Sequence, residues 1–271
     1  MEFSVLMSVY YKEEPEYLKQ ALKSVINQTR PPSEIIIVKD GELTPDLDRV
    51  LEVFKMKYSG LLRLITLPQN QGLGHALKVG LEFCQFGLVA RMDTDDVAMV
   101  TRFEKQLDIL KRFPDIDMVG SFITEFDGET NNILSERKVP ISTEEINRGA
   151  KRRNPFNHVS VMFRKQAVLD AGNYQPFLWQ EDYFLWARMI KKGSKMINIP
   201  ESLVYVRTGR DMFERRGGIL YIKSEIRLQM KFLRMGFIGM QDFIFNVIAR
   251  TIIRLLPNKM RAHFYVHFLR K

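Results

Sequence analysis

The sequence predicts an α/β protein: a mostly parallel sheet with helices on both faces, followed by a helical C-terminal extension. Three observations carry this reading. Short apolar runs alternate with helix-period segments through the first half of the chain. The runs are continuously apolar, as strands buried on both faces require. After Gly217-Gly218 only helical spacing remains.

Taken in order, "FSVLMSVY" (Phe3–Tyr10) is the first buried strand, and Leu18, Ala21, Leu22 and Val25 recur at helical spacing after it. "EIIIVKD" is a β-branched strand ending on Asp40-Gly41. "TPDLDRVLEVFKMKY" is a helix with Thr44 as N-cap and Pro45 at its first position. "LLRLITL" is a third strand, "GLGHALKVGLEFC" a helix and "GLVARMD" a fourth strand. In open α/β sheets ligands bind beyond the carboxyl ends of the strands, where Asp40 and Asp93 to Asp96 fall. "DIDMVGSFITEFDGETNNIL" reads as a strand, a turn at Asp127-Gly128 and a return strand. Glu145 follows Ser142 by three residues, as a capping box requires. "HVSVMF" is a short strand, "QEDYFLWARMIKKG" a helix stopped by Gly193, and "KMINIP" and "SLVYVR" are late strands. The final helical region is broken near Gly236–Gly239 and at Pro257.

The chain's 271 residues allow one large domain or one domain with an appendage. A hydrophobic content of 45% and a charged content of 27% exclude bulk disorder. Cys84 stands alone, which excludes an internal disulfide and suits a reducing cytosol. The N-terminus lacks the basic region and cleavage site of a signal peptide. Most of the net charge of +9 lies after Gly217, where ten lysines and arginines face only Glu225 and Asp242. Long apolar runs between those cations argue against nucleic-acid binding.

"ARMDTDD" (Ala90–Asp96) places three carboxylates at a strand end. Clustered carboxylates repel, and a cation relieves the crowding. Oxygen donors suit Mg²⁺ or Mn²⁺, which take further ligands from phosphates and water. The competing reading is a solvated loop near a helix N-terminus at Thr101. Glu181-Asp182 opens a helix rich in aromatics, either as a partner of the helix dipole or as a general base. Gly72-x-Gly74 reads as a tight turn, and His75 as a surface residue. His158 stands beside a strand start, open to a structural or a site role.

In this order, "SVYYKEEPEYLKQALKSVINQT", "EIIIVKDG", "NQGLGHALKVGL", "VARMDTDD", "NPFNHVSVMF" and "QEDYFLWARM" resemble the family 2 glycosyltransferases of GT-A, Rossmann-like fold. The resemblance extends to Arg207, and "RRGG" resembles the subgroup that builds bacterial capsule, O-antigen and exopolysaccharide. It implies a GT-A catalytic domain over 1–212, divided into a nucleotide-sugar half (1–97) and an acceptor half (98–212), with a basic amphipathic tail over 213–271. It implies that Asp93 and Asp95 hold Mn²⁺ or Mg²⁺ on the diphosphate of a UDP-sugar, and that Asp96 supports the sugar or the metal. Asp40 would meet the nucleobase, Tyr10 would lie against it with Tyr11 and Glu13 nearby, and Arg91 would sit close to the donor. Asp182 would be the catalytic base, with Glu181, Trp186, His158 and Arg207 on the acceptor side. Lys39 stands where many members carry an aspartate, and Ala76-Leu77-Lys78 replaces a frequent Ala-Arg-Asn. No Gln-x-x-Arg-Trp is present, which implies addition of a single sugar.

The implied acceptor is a saccharide on polyprenyl diphosphate, and the implied location is the inner face of the cell membrane, reached from the cytoplasm. Asp242, Arg250 and Arg254 interrupt the apolar stretch Ile238–Leu256 and argue against a span. Phe245, Ile248, Ile252 and Leu255 form an amphipathic stripe that could pack on the core or lie in an anionic lipid surface. Two rival readings are a haloacid-dehalogenase-like phosphatase, which uses Asp-x-Asp after its first strand, and a non-catalytic membrane-surface binding module.

Overall fold

A computed structural model describes residues 1–208 and 218–255. The expected boundary at 212–213, the break at Pro257 and the end of the tail lie outside the described residues, as does the side chain of Leu255.

Strands β1 (Ser4–Val9), β2 (Glu34–Lys39), β3 (Leu62–Thr66) and β4 (Leu88–Arg91) pair in parallel in the order β3-β2-β1-β4. Helices α1 (Pro15–Ile26), α2 (Pro45–Lys57) and α3 (Leu73–Phe83) connect them. Thr44 Oγ1 accepts the Leu47 N–H, so the expected cap holds α2. The β-branched runs serve both faces at once. Ile35 and Ile37 pack with α1 and α2, whereas Ile36 and Val38 pack with α3.

The second half of the sheet is mixed. Strand β8 (Met162–Arg164) runs antiparallel to β4 and to β6 (Ile116–Phe126). Strand β9 (Lys195–Arg207) then lies parallel to β6 along its length. The two expected late strands are therefore one, with register shifts where Ser121 and Phe122 face Ile199 to Ser202. Strand β7 (Ile133–Arg137) returns from β6 as expected, and a two-residue strand that sequence analysis missed, β5 (Val97–Ala98), pairs with β9. "HVSVMF" opens as a 3-10 turn over His158–Ser160 and not as a strand. Two contacts hold it: the Ser160 hydroxyl donates to the Asn157 carbonyl nearby, and the Asn157 amide is drawn to the distant Ser121 O at 2.8 Å.

Helix α4 (Arg102–Arg112) joins the first core face, and α6 (Lys165–Asp170) and α7 (Glu181–Lys191) join the second. Helix α5 (Thr143–Gly149) carries the expected capping box from Ser142 and Glu145. A third cluster forms where Leu228 and Phe232 of α8 (Ile219–Arg234) meet Tyr183, Phe184 and Ala187 of α7. Helix α9 (Met240–Leu255) behaves differently. It turns Asn246 inward, with Arg250 and Arg254 toward α8, and leaves Ile244, Phe245, Ile248 and Ile252 more than half exposed. No helix among the described residues is long and apolar enough to cross a membrane.

Candidate active site

The parallel strands β1, β2 and β4 end on one edge, which brings Tyr10, Asp40 and the Asp93–Asp96 turn to the same side of the sheet. Asp40 is buried, and its two carboxylate oxygens accept the N–H groups of Gln71 (2.7 Å) and Gly72 (2.9 Å). It thereby ties the end of β2 to the turn that opens α3, and each oxygen keeps a lone pair for a ligand. Gly72 adopts a φ of 86°, which explains that glycine. Gly74 has a different reason: a Cβ there would stand 3.0 Å from the Glu181 Cβ, so the glycine admits α7 against α3. The Gly72-x-Gly74 pair is thus a junction between the two halves of the site, beyond the tight turn expected of it.

The Asp93-x-Asp95 turn is braced from both sides. Glu13 accepts the Thr94 hydroxyl at 2.5 Å, which links the turn to the loop after β1. The buried guanidinium of Arg91 donates to Asp93, while its Nε and Nη1 have no partner in the protein. Beneath it, buried Arg102 donates to the Arg91 carbonyl at 2.7 Å. Arg207 donates its backbone N–H to Asp96 Oδ1 (2.8 Å) and its Nε to the Asp95 carbonyl (3.1 Å). The Arg207 guanidinium also lies 3.8 Å from the Tyr17 ring centroid and donates to Gln20. It therefore positions the turn from behind.

Ligand oxygens of Asp93, Asp95 and Asp96 all lie within 4.8 Å of one another. Burial pushes the Asp95 carboxyl up to about 7, and Asp93 and Glu13 add to the shift. Burial, with Asp95 and Asp93 adding repulsion, raises Asp96 well above the usual carboxylate range. Such a set is short of positive charge, and an all-oxygen donor set fits Mg²⁺ or Mn²⁺. Asp93 and Asp95 are the pair that could hold the ion, since one oxygen of Asp96 is taken by Arg207.

At the start of α7, Asp182 accepts Asn154 Nδ2 at 2.7 Å on one oxygen and its neighbour's N–H, from Tyr183, at 2.7 Å on the other. Burial raises its pKa, and these two hydrogen bonds oppose the rise. Burial pushes the adjacent Glu181 up to about 7, with Asp182 adding repulsion. His158 bonds Tyr174 Oη at 3.0 Å and packs edge-on to Trp186, which is fully buried. Burial and Arg91 hold the imidazole well below its ordinary pKa, so it is neutral at pH 7.

One cavity of about 740 Å³ joins these groups. Asp93, Asp95, Asp96, His158, Glu181, Asp182 and Arg207 line it. Tyr10, Tyr11, Glu13, Asp40, Arg91 and Trp186 do not line it: the two tyrosines are exposed beyond β1, and the others are buried or half-buried. Sequence analysis missed Asn154, although "NPFNH" contains it, and it missed Arg137, Arg152 and Arg153 on the same wall. Arginines of α9, Arg250 and Arg254, complete the far end.

The family model described as "Glycosyl transferase family 2" matches residues 4–172. The amylovoran biosynthesis glycosyltransferase AmsE of Erwinia amylovora is 41% identical over 97% of each chain. The Escherichia coli UDP-Gal:alpha-D-GlcNAc-diphosphoundecaprenol beta-1,3-galactosyltransferase is 38% identical over 100% of this chain and 97% of its own. Among solved structures, mannosyltransferase PcManGT from Pyrobaculum calidifontis, in complex with GDP-Man and Mn²⁺, superposes with a TM-score of 0.66. That match is 15% identical, covers 98% of this chain and 73% of the other, and speaks for the fold.

Proposed function

The chain belongs to glycosyl transferase family 2 and is a glycosyltransferase of GT-A fold, and on that premise we propose which transfer it performs. It moves one hexose (galactose, glucose or an N-acetylhexosamine) from a UDP-sugar to a hydroxyl of a lipid-diphosphate-linked saccharide in bacterial surface polysaccharide synthesis. The observation that carries this reading is the single cavity that holds Asp93 and Asp95 together with Asp182. The name of the E. coli relative, with its UDP-Gal donor and diphosphoundecaprenol acceptor, supports the substrate classes.

Each residue has a task in this reading. Asp93 and Asp95 would hold Mn²⁺ or Mg²⁺ beside the donor, and Arg91 and Glu13 keep that turn in place. The ion, when bound, offsets the charge that grows on the departing diphosphate. Tyr10 and Asp40 meet the nucleobase at the strand edge. Asp182 takes the proton of the acceptor hydroxyl as its oxygen attacks the anomeric carbon from the face opposite the leaving group. The transition state is oxocarbenium-like, and the single displacement inverts an α-linked donor to a β-linkage. Glu181 and the neutral His158 shape the acceptor side. The exposed apolar face of α9, with the cations of the tail, rests on an anionic membrane from the cytoplasmic side.

A panel of nucleotide-sugars with Mn²⁺, read by thermal shift and by donor hydrolysis, tests the proposal. A metal-dependent response to one UDP-sugar is expected. No response to any UDP-sugar, or phosphate release from simple phosphomonoesters, would overturn it.

A further inference from the structure

The cavity does not stop at Asp182. Beyond it the wall is formed by Arg152, Arg153, Arg250 and Arg254, a change from carboxylates to guanidinium groups within one continuous space. Two carboxylates face three of these arginines. Glu225 accepts Arg250 Nη1 (3.2 Å) and Arg254 Nη2 (2.9 Å), and Asp242 accepts Arg152 Nη2 (2.8 Å). These pairs fix the guanidinium groups along the cavity wall. Guanidinium forks match phosphate oxygens better than any other side chain does.

The basic end also meets the apolar face of α9. Arg152 lines the cavity, and its guanidinium lies 4.3 Å from the ring centroid of Phe245, which is 58% exposed. Ile248 and Ile252 continue the apolar ridge from Phe245, both more than half exposed. The described residues leave this ridge uncovered, and contiguous exposed apolar side chains mark an interaction surface. The order along the protein is thus base, cations, apolar ridge. A glycosyl diphosphate lipid has the same order, with hydroxyl-bearing sugar, two anionic phosphates and hydrocarbon chain.

We infer that Arg152, Arg153, Arg250 and Arg254 bind the diphosphate of the acceptor and direct its hydrocarbon chain onto the exposed face of α9. The inference rests on the proposed transfer to a lipid-diphosphate-linked saccharide and adds the site that recognises it. The donor's diphosphate belongs to the opposite end, at Asp93 and Asp95. Each end of the cavity then takes one of the two diphosphates, and the sugars meet at Asp182. Ser or Gln in place of one arginine removes a charge-assisted bond to phosphate but leaves the sugar contacts at Asp182 in place.

The test compares two acceptors: N-acetylglucosamine joined through α-diphosphate to a decyl chain, and the plain decyl glycoside of the same sugar. The quantity read is the ratio of kcat/KM for the two, in the full-length protein with its preferred UDP-sugar. The wild type is expected to favour the diphosphate acceptor by at least ~10-fold, the scale of one charge-assisted hydrogen bond. Arg250→Gln and Arg152→Gln should each lower that ratio several-fold. Arg152 is half exposed, so its variant keeps the test valid if loss of Arg250 disturbs the fold. An unchanged ratio in both folded variants would overturn the inference and leave the proposed transfer standing. No preference in the wild type would overturn the lipid-diphosphate acceptor itself. Retention on phosphatidylglycerol vesicles forms a third arm: if the variants lose retention but keep the ratio, the arginines serve lipid headgroups and the inference is wrong.

Discussion

At one end of the cavity Asp93, Asp95, Asp96, Glu181 and Asp182 crowd together, and burial raises the pKa of four of them. At the other end Glu225 and Asp242 each have arginines in hydrogen-bond contact. The acidic end holds more carboxylates than the buried guanidinium of Arg91 can neutralise, and burial favours their protonation. The basic end is stable by itself, since its buried carboxylate is already paired. The difference separates chemistry from architecture. Crowded carboxylates mark the end whose donors suit a cation and the transfer of a proton. Charge paired within the fold marks the end that holds α9 in place.

Variants at the acidic end should damage turnover before stability. Asp182→Asn is expected to lower kcat by roughly 10²–10⁴-fold, the usual contribution of a general base, with donor binding retained in calorimetry. Near-normal turnover would remove Asp182 as the base. Asp93→Ala or Asp95→Ala should weaken Mn²⁺-dependent donor binding by more than the ~10–100-fold typical of losing a supporting partner. Titration of UDP with and without Mn²⁺ measures this, and unchanged affinity would break the metal assignment.

Variants at the basic end should show the reverse order. Glu225→Gln leaves two arginines facing a neutral amide and should cost about 3–5 kcal/mol, the usual loss on breaking a buried ion pair. Chemical denaturation checks this, and a stability change below about 1 kcal/mol would mean that α9 is held by other contacts. Asn154→Ala sharpens the contrast from the acidic side. Its amide stabilises the charged form of Asp182, so its loss raises that pKa further. Because the base must be ionised to act, the acid limb of the kcat/KM profile should move to higher pH; no movement would separate Asn154 from the base. The smallest effect on stability is expected for Ile248→Ser, within about 0.5 kcal/mol as for other exposed positions. The same variant should weaken binding to anionic vesicles in a sedimentation assay, and equal binding would leave the ridge without its membrane role.

Much of the parallel half was legible because each strand announces itself as an unbroken apolar run and each helix by its spacing and caps. The Thr44 cap and the Ser142 box lie within a few residues of what they hold, so a linear reading finds them. The acid pairs were legible as crowding. Contacts between distant residues were not. Nothing near Asn154 reveals that Asp182, 28 residues later, is its partner. The 3-10 turn at His158 was hidden because it depends on Ser121, far back in β6. Helix α9 shows the limit most clearly. Its periodicity predicts a two-faced helix, yet the exposed stripe is apolar and the inward face mixes Phe243 with Asn246, Arg250 and Arg254, placed by Glu225 on α8 and by the Gln229 oxygen that accepts the Asn246 amide. Sequence spacing defines the two faces, and only the neighbouring helix selects between them.

The proposed transfer is a single displacement on the donor sugar, with Asp182 as base and the diphosphate leaving toward Asp93 and Asp95. The anomeric configuration of the first product, read by NMR from the one-bond carbon–proton coupling of the transferred sugar, tests it most directly. An α-linked UDP donor should yield a β-linkage. An α-linkage in the product would contradict the claim.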